Sequence, residues 1–130
     1  DLDGTLALLN GRSPYDASNC EEDVVNESVL ETLIPMYKAG NSIIFVSGRD
    51  GKYELQTKAF LKKHISFPYI LFMRKPRDQR PDQIIKREIF EEHIRDKFNI
   101  LFVIDDRPKV VRMWRHDLGL TVYQLNDVEF

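Results

Sequence analysis

A single cysteine, Cys20, is all the sulfhydryl chemistry the 130 residues carry. One thiol excludes an internal disulfide and makes a reducing, cytoplasmic setting the default expectation. Long apolar runs are also missing. None approaches the roughly 20 residues that span a bilayer, so no membrane partner is expected, and no secretory signal pattern is present. Neither charge dominates: 19 Lys and Arg stand against 21 Asp and Glu, a formal net charge of −2. That balance excludes a broadly basic surface able to wrap long nucleic acid. It leaves room for an enzyme that grips only a strand end with a few arginines. There is no internal repeat and no low-complexity linker. Hydrophobic residues at 42% and charged residues at 31% describe a globular chain with one core.

What the chain does have is alternation. Ser42-Ile43-Ile44-Phe45-Val46, Tyr69 to Met73, Ile100 to Ile104 and the shorter Thr121 to Gln124 are apolar, β-branched or aromatic runs. Near-continuous apolar strands imply burial on both faces, as in a parallel sheet covered by helices. Between them lie helical patterns. Asn26 is an N-cap ahead of Val29, Leu30, Leu33 and Ile34, with Gly40 past the end and Pro35 predicting a kink or early unwinding. Residues 54–64 form a second helix with Leu55, Ala59 and either Leu61 or Ile65 inward. A third starts at Pro81 and runs to about Lys97, with Ile84, Ile85, Ile89, Phe90, His93 and Ile94 as its apolar stripe. Val110, Val111 and Trp114 line a last helix that stops near Gly119. The order predicts an α/β fold, a doubly wound parallel sheet with helices on both faces. Residues 6–23 follow neither period and are expected to form a small flap or cap over the site. The chain opens at Asp1 with no strand to carry it. The expectation is a single domain, 1–130, cut from the C-terminal part of a longer protein, its first strand lying before Asp1.

The polar residues fall at strand ends, where ligands bind in such folds. Asp1 and Asp3 would follow the first strand, Ser47 and Arg49 the next, and Asp105 and Asp106 a later one. Phosphoryl transfer needs a nucleophile, a proton donor, a divalent cation and positive charge around the moving oxygens. Asp1 supplies a nucleophilic carboxylate, and Asp3 a general acid and base. Clustered carboxylates repel unless a cation holds them. Mg²⁺, which takes oxygen ligands and keeps several waters, suits Asp1, Asp105, Asp106 and a backbone carbonyl. Ser47 can donate to a phosphate oxygen, and Lys86 adds fixed positive charge.

Asp1-Leu2-Asp3-Gly4-Thr5 resembles the D-x-D-G-T signature of the haloacid dehalogenase superfamily. Val46-Ser47-Gly48-Arg49, Lys86 and Ile104-Asp105-Asp106-Arg107 resemble its later motifs, in the same order. In that pattern the Asp3 ligand to the metal is its backbone carbonyl. A narrower likeness covers nearly the whole chain. Asn10-Gly11-Arg12-x-Pro14-Tyr15-Asp16, Asp78-x-Arg80-x-Asp82-x-x-x-Lys86 and Asp105-Asp106-Arg107-x-x-Val110-Val111-x-Met113-Trp114-Arg115 resemble the phosphatase domain of phage-type polynucleotide kinase/3′-phosphatases.

That resemblance implies a Mg²⁺-dependent phosphomonoesterase acting through an aspartyl-phosphate. Its substrate would be a 3′-phosphorylated DNA or RNA end, and also a 2′,3′-cyclic phosphate, in nucleic-acid repair. It implies catalysis by Asp1, Asp3 and Lys86, and metal binding by Asp1, Asp3, Asp105 and Asp106. Thr5, Arg12, Ser47, Gly48, Arg49 and Asp82 would serve substrate or phosphate, with Asp82 orienting Lys86 from one helical turn away. Two departures stand out. The stretch between Arg49 and Phe60 is shorter, and Arg77 stands where a glycine is expected. No G-x-x-x-x-G-K-[ST] loop occurs, so any kinase domain would lie upstream of Asp1. The competing readings are a phosphatase for a small metabolite or nucleotide, and a receiver-like phosphoacceptor module. The latter is disfavoured because its acidic pair precedes its acceptor. Simpler roles apply to other residues: core packing for Trp114, a packing or surface place for His64 and His93, a small buried hydrophobe for Cys20. The basic run 73–77 reads equally as a solvated loop or a guide for a nucleic-acid backbone.

Overall fold

Asn26 opens the first helix by accepting the Ser28 N–H at 3.3 Å, which satisfies a donor the first turn leaves without a partner. The structure, a computed structural model, describes residues 1–127. Helix α1 spans Glu27–Lys38 and continues past Pro35, against the expectation of a kink or early unwinding there. Pro35 sits in the last turn, so it costs one intrahelical bond, while Leu30, Leu33, Ile34 and Met36 stay packed on the core.

The strands pair as two parallel ladders. Strand β3 (Ile44–Asp50) lies beside β4 (Ile70–Arg74), and β5 (Val103–Asp105) beside β6 (Val122–Gln124). β3 runs further than its apolar residues alone suggest. It carries Ser47, Gly48 and Arg49 within the strand, pairing Ser47 with Met73 and Asp50 with Arg74 around an irregularity. Partner hydrogen bonds override the local turn signal of a glycine there. Successive strand residues face opposite ways. Phe45 joins a core with Leu2, Leu6, Phe60 and Leu61, under α1 and α2 (Glu54–His64). Val46 joins a second core with Phe90, Ile94, Val110 and Trp114, under α3 (Asp82–Ile89) and α4 (Pro108–Arg112). Helices therefore cover both faces, as the strand composition predicts. A cavity of about 370 Å³ separates the two ladders, lined by Ile44 and Val46 on one side and Val103 and Ile104 on the other.

A short antiparallel pair, β1 (Ala7–Leu8) and β2 (Val24–Val25), anchors the base of the 9–23 flap. Cys20 is fully buried there, its sulfur 3.8 Å from the Thr57 hydroxyl, in line with the small-hydrophobe reading. Three inward assignments are corrected: Leu55, Ile84 and His93, whose side chain is 45% exposed and stacks on Phe72. Leu55 is 80% exposed and Ile84 45% exposed. The buried stripe of α2 is Thr57, Phe60 and Leu61, and a residue two places from Thr57 lies about 200° around the helix. In α3 the buried positions are Ile85 and Lys86, which turns Ile84 outward by the same geometry. Both α3 and α4 pass into a wider π turn, Phe90–Ile94 and Met113–Asp117, a feature common near functional sites. Among the described residues no helix is long and apolar enough to cross a membrane.

Arg77 has a φ of 68°, a left-handed conformation that strains a residue with a Cβ. Its backbone N–H donates to Asp50 Oδ2 at 3.2 Å, which holds the turn in place. The glycine expected at this position therefore has a conformational reason. Arg77→Gly should stabilise the fold by about 0.5–1 kcal/mol, measured as a higher urea midpoint at unchanged slope. A lower midpoint would show that the Arg77 side chain contributes more than the strain costs.

Candidate active site

Leu2 is fully buried and pins the acidic loop to the core. Thr5 and Ala7 N–H groups donate back to the Leu2 carbonyl at 3.0 and 2.9 Å. This tight turn presents Asp1 and Asp3 on either side of Leu2. The Thr5 hydroxyl donates to Asp1 Oδ2 at 2.8 Å. Lys86 Nζ donates to Asp1 Oδ1 and to Asp105 Oδ2, both at 2.9 Å. Gly4 is required twice over. Its φ is 79°, and a Cβ there would sit 2.2 Å from Asp106 Oδ2. That close approach lets the acidic pair reach the loop.

One oxygen each from Asp1, Asp105 and Asp106 can be chosen within 4.8 Å of one another. Burial raises the carboxyl of Asp106 above its ordinary value, and the Asp105 charge raises it further. Asp105 is more deeply buried, which acts upward, yet the Lys86 ammonium holds it below its ordinary value. The Lys86 ammonium bridges Asp1 and Asp105 within this acidic group.

Asp3 faces a different set of groups. Its carboxylate accepts from Arg12 Nη2 at 2.7 Å and from Arg49 Nη2 at 2.8 Å. Behind them, Asp23 accepts from Arg12 Nε at 2.9 Å and Arg49 Nη2 at 3.2 Å, and Thr57 takes Arg49 Nη1. Burial acts to raise Asp3, but the hydrogen bonds and charge of Arg49 and Arg12 prevail and hold it low. A depressed carboxylate stabilises the fold at neutral pH, and that contribution is lost as pH falls through its folded value.

Ser47 is buried, and its Oγ accepts the Arg49 N–H at 3.1 Å. Asp82 does not bond Lys86, contrary to the sequence expectation. It pairs with Arg74 and Arg107 and lies over Gly48, where a Cβ would come within 2.6 Å of its carboxylate. Arg74 also donates to the Gly48 carbonyl at 2.7 Å. The basic run 73–77 is therefore neither wholly solvated nor wholly free, because Arg74 is built into the site. A cavity of about 490 Å³ is lined by Asp1, Asp3, Arg49, Asp82, Lys86 and Asp106.

The family model for the polynucleotide kinase PNKP phosphatase domain matches residues 1–130. The chain belongs to that family. The PNKP phosphatase family places it among hydrolases that act on phosphate. A relative in Autographa californica nuclear polyhedrosis virus, described as "Putative bifunctional polynucleotide kinase/RNA ligase", is 39% identical over 118 residues, covering 88% of this chain and 17% of the relative. Two solved structures have a TM-score of 0.96 and 43% identity over 99% of the chain, described as "Structure of the Pnkp1/Rnl/Hen1 RNA repair complex" and "Structure of Pnkp1/Rnl/Hen1 complex". The chain spans 42% and 45% of those chains, and about a sixth of the viral relative.

A PNKP-family phosphatase site calls for a divalent cation, and the donor set fits one. Asp1, Asp105 and Asp106 offer hard oxygen ligands at mutual distances that one ion can bridge. The Asp3 carboxylate lies outside that group, held by its two arginines, so only its backbone carbonyl is left as a ligand from that residue. The structure brings together Asp1, Lys86, Asp105 and Asp106, which the sequence reading also groups. That reading misses Asp23, the shared anchor of Arg12 and Arg49, which has no motif around it. Arg12 is no surface charge: its side chain is 7% exposed.

Proposed function

We propose that this chain is a Mg²⁺-dependent phosphomonoesterase that removes 3′-phosphate from polynucleotide ends through an aspartyl-phosphate on Asp1. The observation that carries the reading is the sharing of one cavity by two differently held carboxylates. Asp1 is fixed by Thr5 and Lys86, while Asp3 is fixed by Arg12 and Arg49. Divergent environments of this kind separate a nucleophile from an acid and base.

Asp1 attacks phosphorus, and the bond to the 3′-oxygen breaks as Asp3 gives that oxygen a proton. Asp3, now ionised, takes a proton from water, which displaces Asp1 from phosphorus and releases inorganic phosphate. The two arginines favour ionised Asp3 and so the second step. The incoming phosphate dianion raises the Asp3 pKa and supports the first. Lys86, Thr5, Ser47 and the Gly48 backbone meet the transferred oxygens. Mg²⁺, held by Asp1, Asp105 and Asp106, would neutralise the charge of the phosphoryl group.

The relatives' names support a place in nucleic-acid end repair, with a kinase domain in the same protein and a ligase downstream. Removal of a 3′-phosphate leaves the 3′-hydroxyl that end joining needs. The test is phosphate release in Mg²⁺ from 3′-phosphorylated DNA and RNA oligonucleotides, a 2′,3′-cyclic RNA end and a nucleoside 3′-monophosphate. The oligonucleotides should be preferred in kcat/KM. Equal or better turnover of the monomer would replace this reading by a small-molecule phosphatase.

A further inference from the structure

Trp114 is the chain's only tryptophan and is 3% exposed. Packing accounts for its ring, which meets Phe90 edge-on at 6.1 Å, but not for its polar edge. The indole N–H donates to Asp105 Oδ2 at 3.1 Å. Lys86 Nζ donates to the same oxygen at 2.9 Å. The Asp106 N–H donates to the other oxygen, Oδ1, at 2.8 Å.

An ionised carboxylate offers about four acceptor positions, two on each oxygen. The indole and the ammonium fill Oδ2. The Asp106 amide takes one position on Oδ1, and one remains. The indole is also a neutral donor. It fixes the carboxylate without adding positive charge that would oppose a cation. The wide turn Met113–Asp117 sets the ring where its N–H reaches a strand end nine residues earlier.

We infer that Trp114 is a positioning residue for the divalent cation: it locks the rotation of the Asp105 carboxylate and leaves Oδ1 as the oxygen that binds metal. This rests on the phosphatase reading above. Groups that orient a metal ligand from behind are typically worth 10–100-fold in metal affinity.

Trp114→Phe keeps most of the ring packing and deletes the donor. In the full-length protein two quantities are measured. One is the Mg²⁺ concentration for half-maximal phosphate release from p-nitrophenyl phosphate. The other is Mn²⁺ binding without substrate, followed by paramagnetic resonance and counting only the binding that Asp106→Asn removes. Trp114→Phe should raise the half-saturating Mg²⁺ by roughly 10–100-fold and weaken Mn²⁺ binding similarly. kcat at saturating Mg²⁺ should change far less. A purely structural role would lower kcat or the melting temperature and leave both metal constants where they were, and that result overturns the inference. A wild-type protein with neither Mg²⁺-dependent release nor Asp106-dependent Mn²⁺ binding would sink the phosphatase reading itself. Should Trp114→Phe not fold, the wild-type indole N–H resonance of Trp114 decides. It should shift on adding Mg²⁺ and stay put in Asp106→Asn; a resonance indifferent to Mg²⁺ in the wild type overturns the inference.

Discussion

Asp1→Asn should abolish phosphate release, lowering kcat by on the order of 10⁴-fold or more, as loss of a covalent nucleophile does elsewhere. The carboxamide has nearly the same shape, and its oxygen can still accept from Lys86 or Thr5. The change therefore removes the attacking charge without opening the site. It also removes one of three crowded carboxylates, so the melting temperature should hold or rise slightly. Two measurements check this. Steady-state release of phosphate gives the rate, and rapid quenching with a labelled substrate gives the acid-stable, alkali-labile phosphoprotein. The wild type should trap label and Asp1→Asn should not. A variant that retains a tenth or more of the rate (a loss of only about 1.4 kcal/mol in transition-state free energy) would show that another group attacks phosphorus.

Lys86→Met should damage both stability and catalysis. The ammonium is buried between Asp1 and Asp105, with 3% of its side chain exposed. Methionine fills the volume but leaves Asp1 and Asp105 without the ammonium that bridges them. Breaking a buried pair from one side costs about 3–5 kcal/mol, which in a chain of this size corresponds to a fall in melting temperature of roughly 10 °C or more. The rate should fall by roughly 10²–10³-fold, because a fixed positive charge beside the transferred group is lost. Mg²⁺ should raise the melting temperature of the variant more than that of the wild type, since the ion then supplies the missing compensation. Thermal denaturation with and without Mg²⁺ reads all of this. A variant that melts with the wild type would mean that Lys86 offsets no charge in the folded state.

Arg12 and Arg49 have partners within the protein that their positions in the sequence do not announce. The resemblance assigns them to substrate. In the structure both guanidiniums are shared between Asp3 and the buried Asp23. Their hydrogen bonds and charge hold the Asp3 carboxylate low. Asp82 is similarly redirected. Its spacing from Lys86 suggests a pair on one helix face, but Arg74 and Arg107 reach it from two other strand ends. In both cases the ion-pair partner lies on another element, and spacing along the chain carries no information about it.

The sequence by itself determined the alternation of strands and helices, the order of the acidic motifs and the family. These depend on residues within a few positions of one another: apolar runs for the strands, caps such as Asn26, and an Asp-Leu-Asp-Gly-Thr turn whose glycine alone admits Asp106. Only the tertiary structure decided which charges meet. Motif order assigns Lys86 to the site, but its bond to Asp1 across 85 residues exists because α3 packs with that face inward. Asp23 gains its role from two arginines on separate segments, and Trp114 from the turn that swings it over Asp105. The reason is physical. Backbone preferences act locally, whereas the choice of partner for a buried charge is made by packing, which must find each one a counter-charge or leave it at a cost of several kcal/mol.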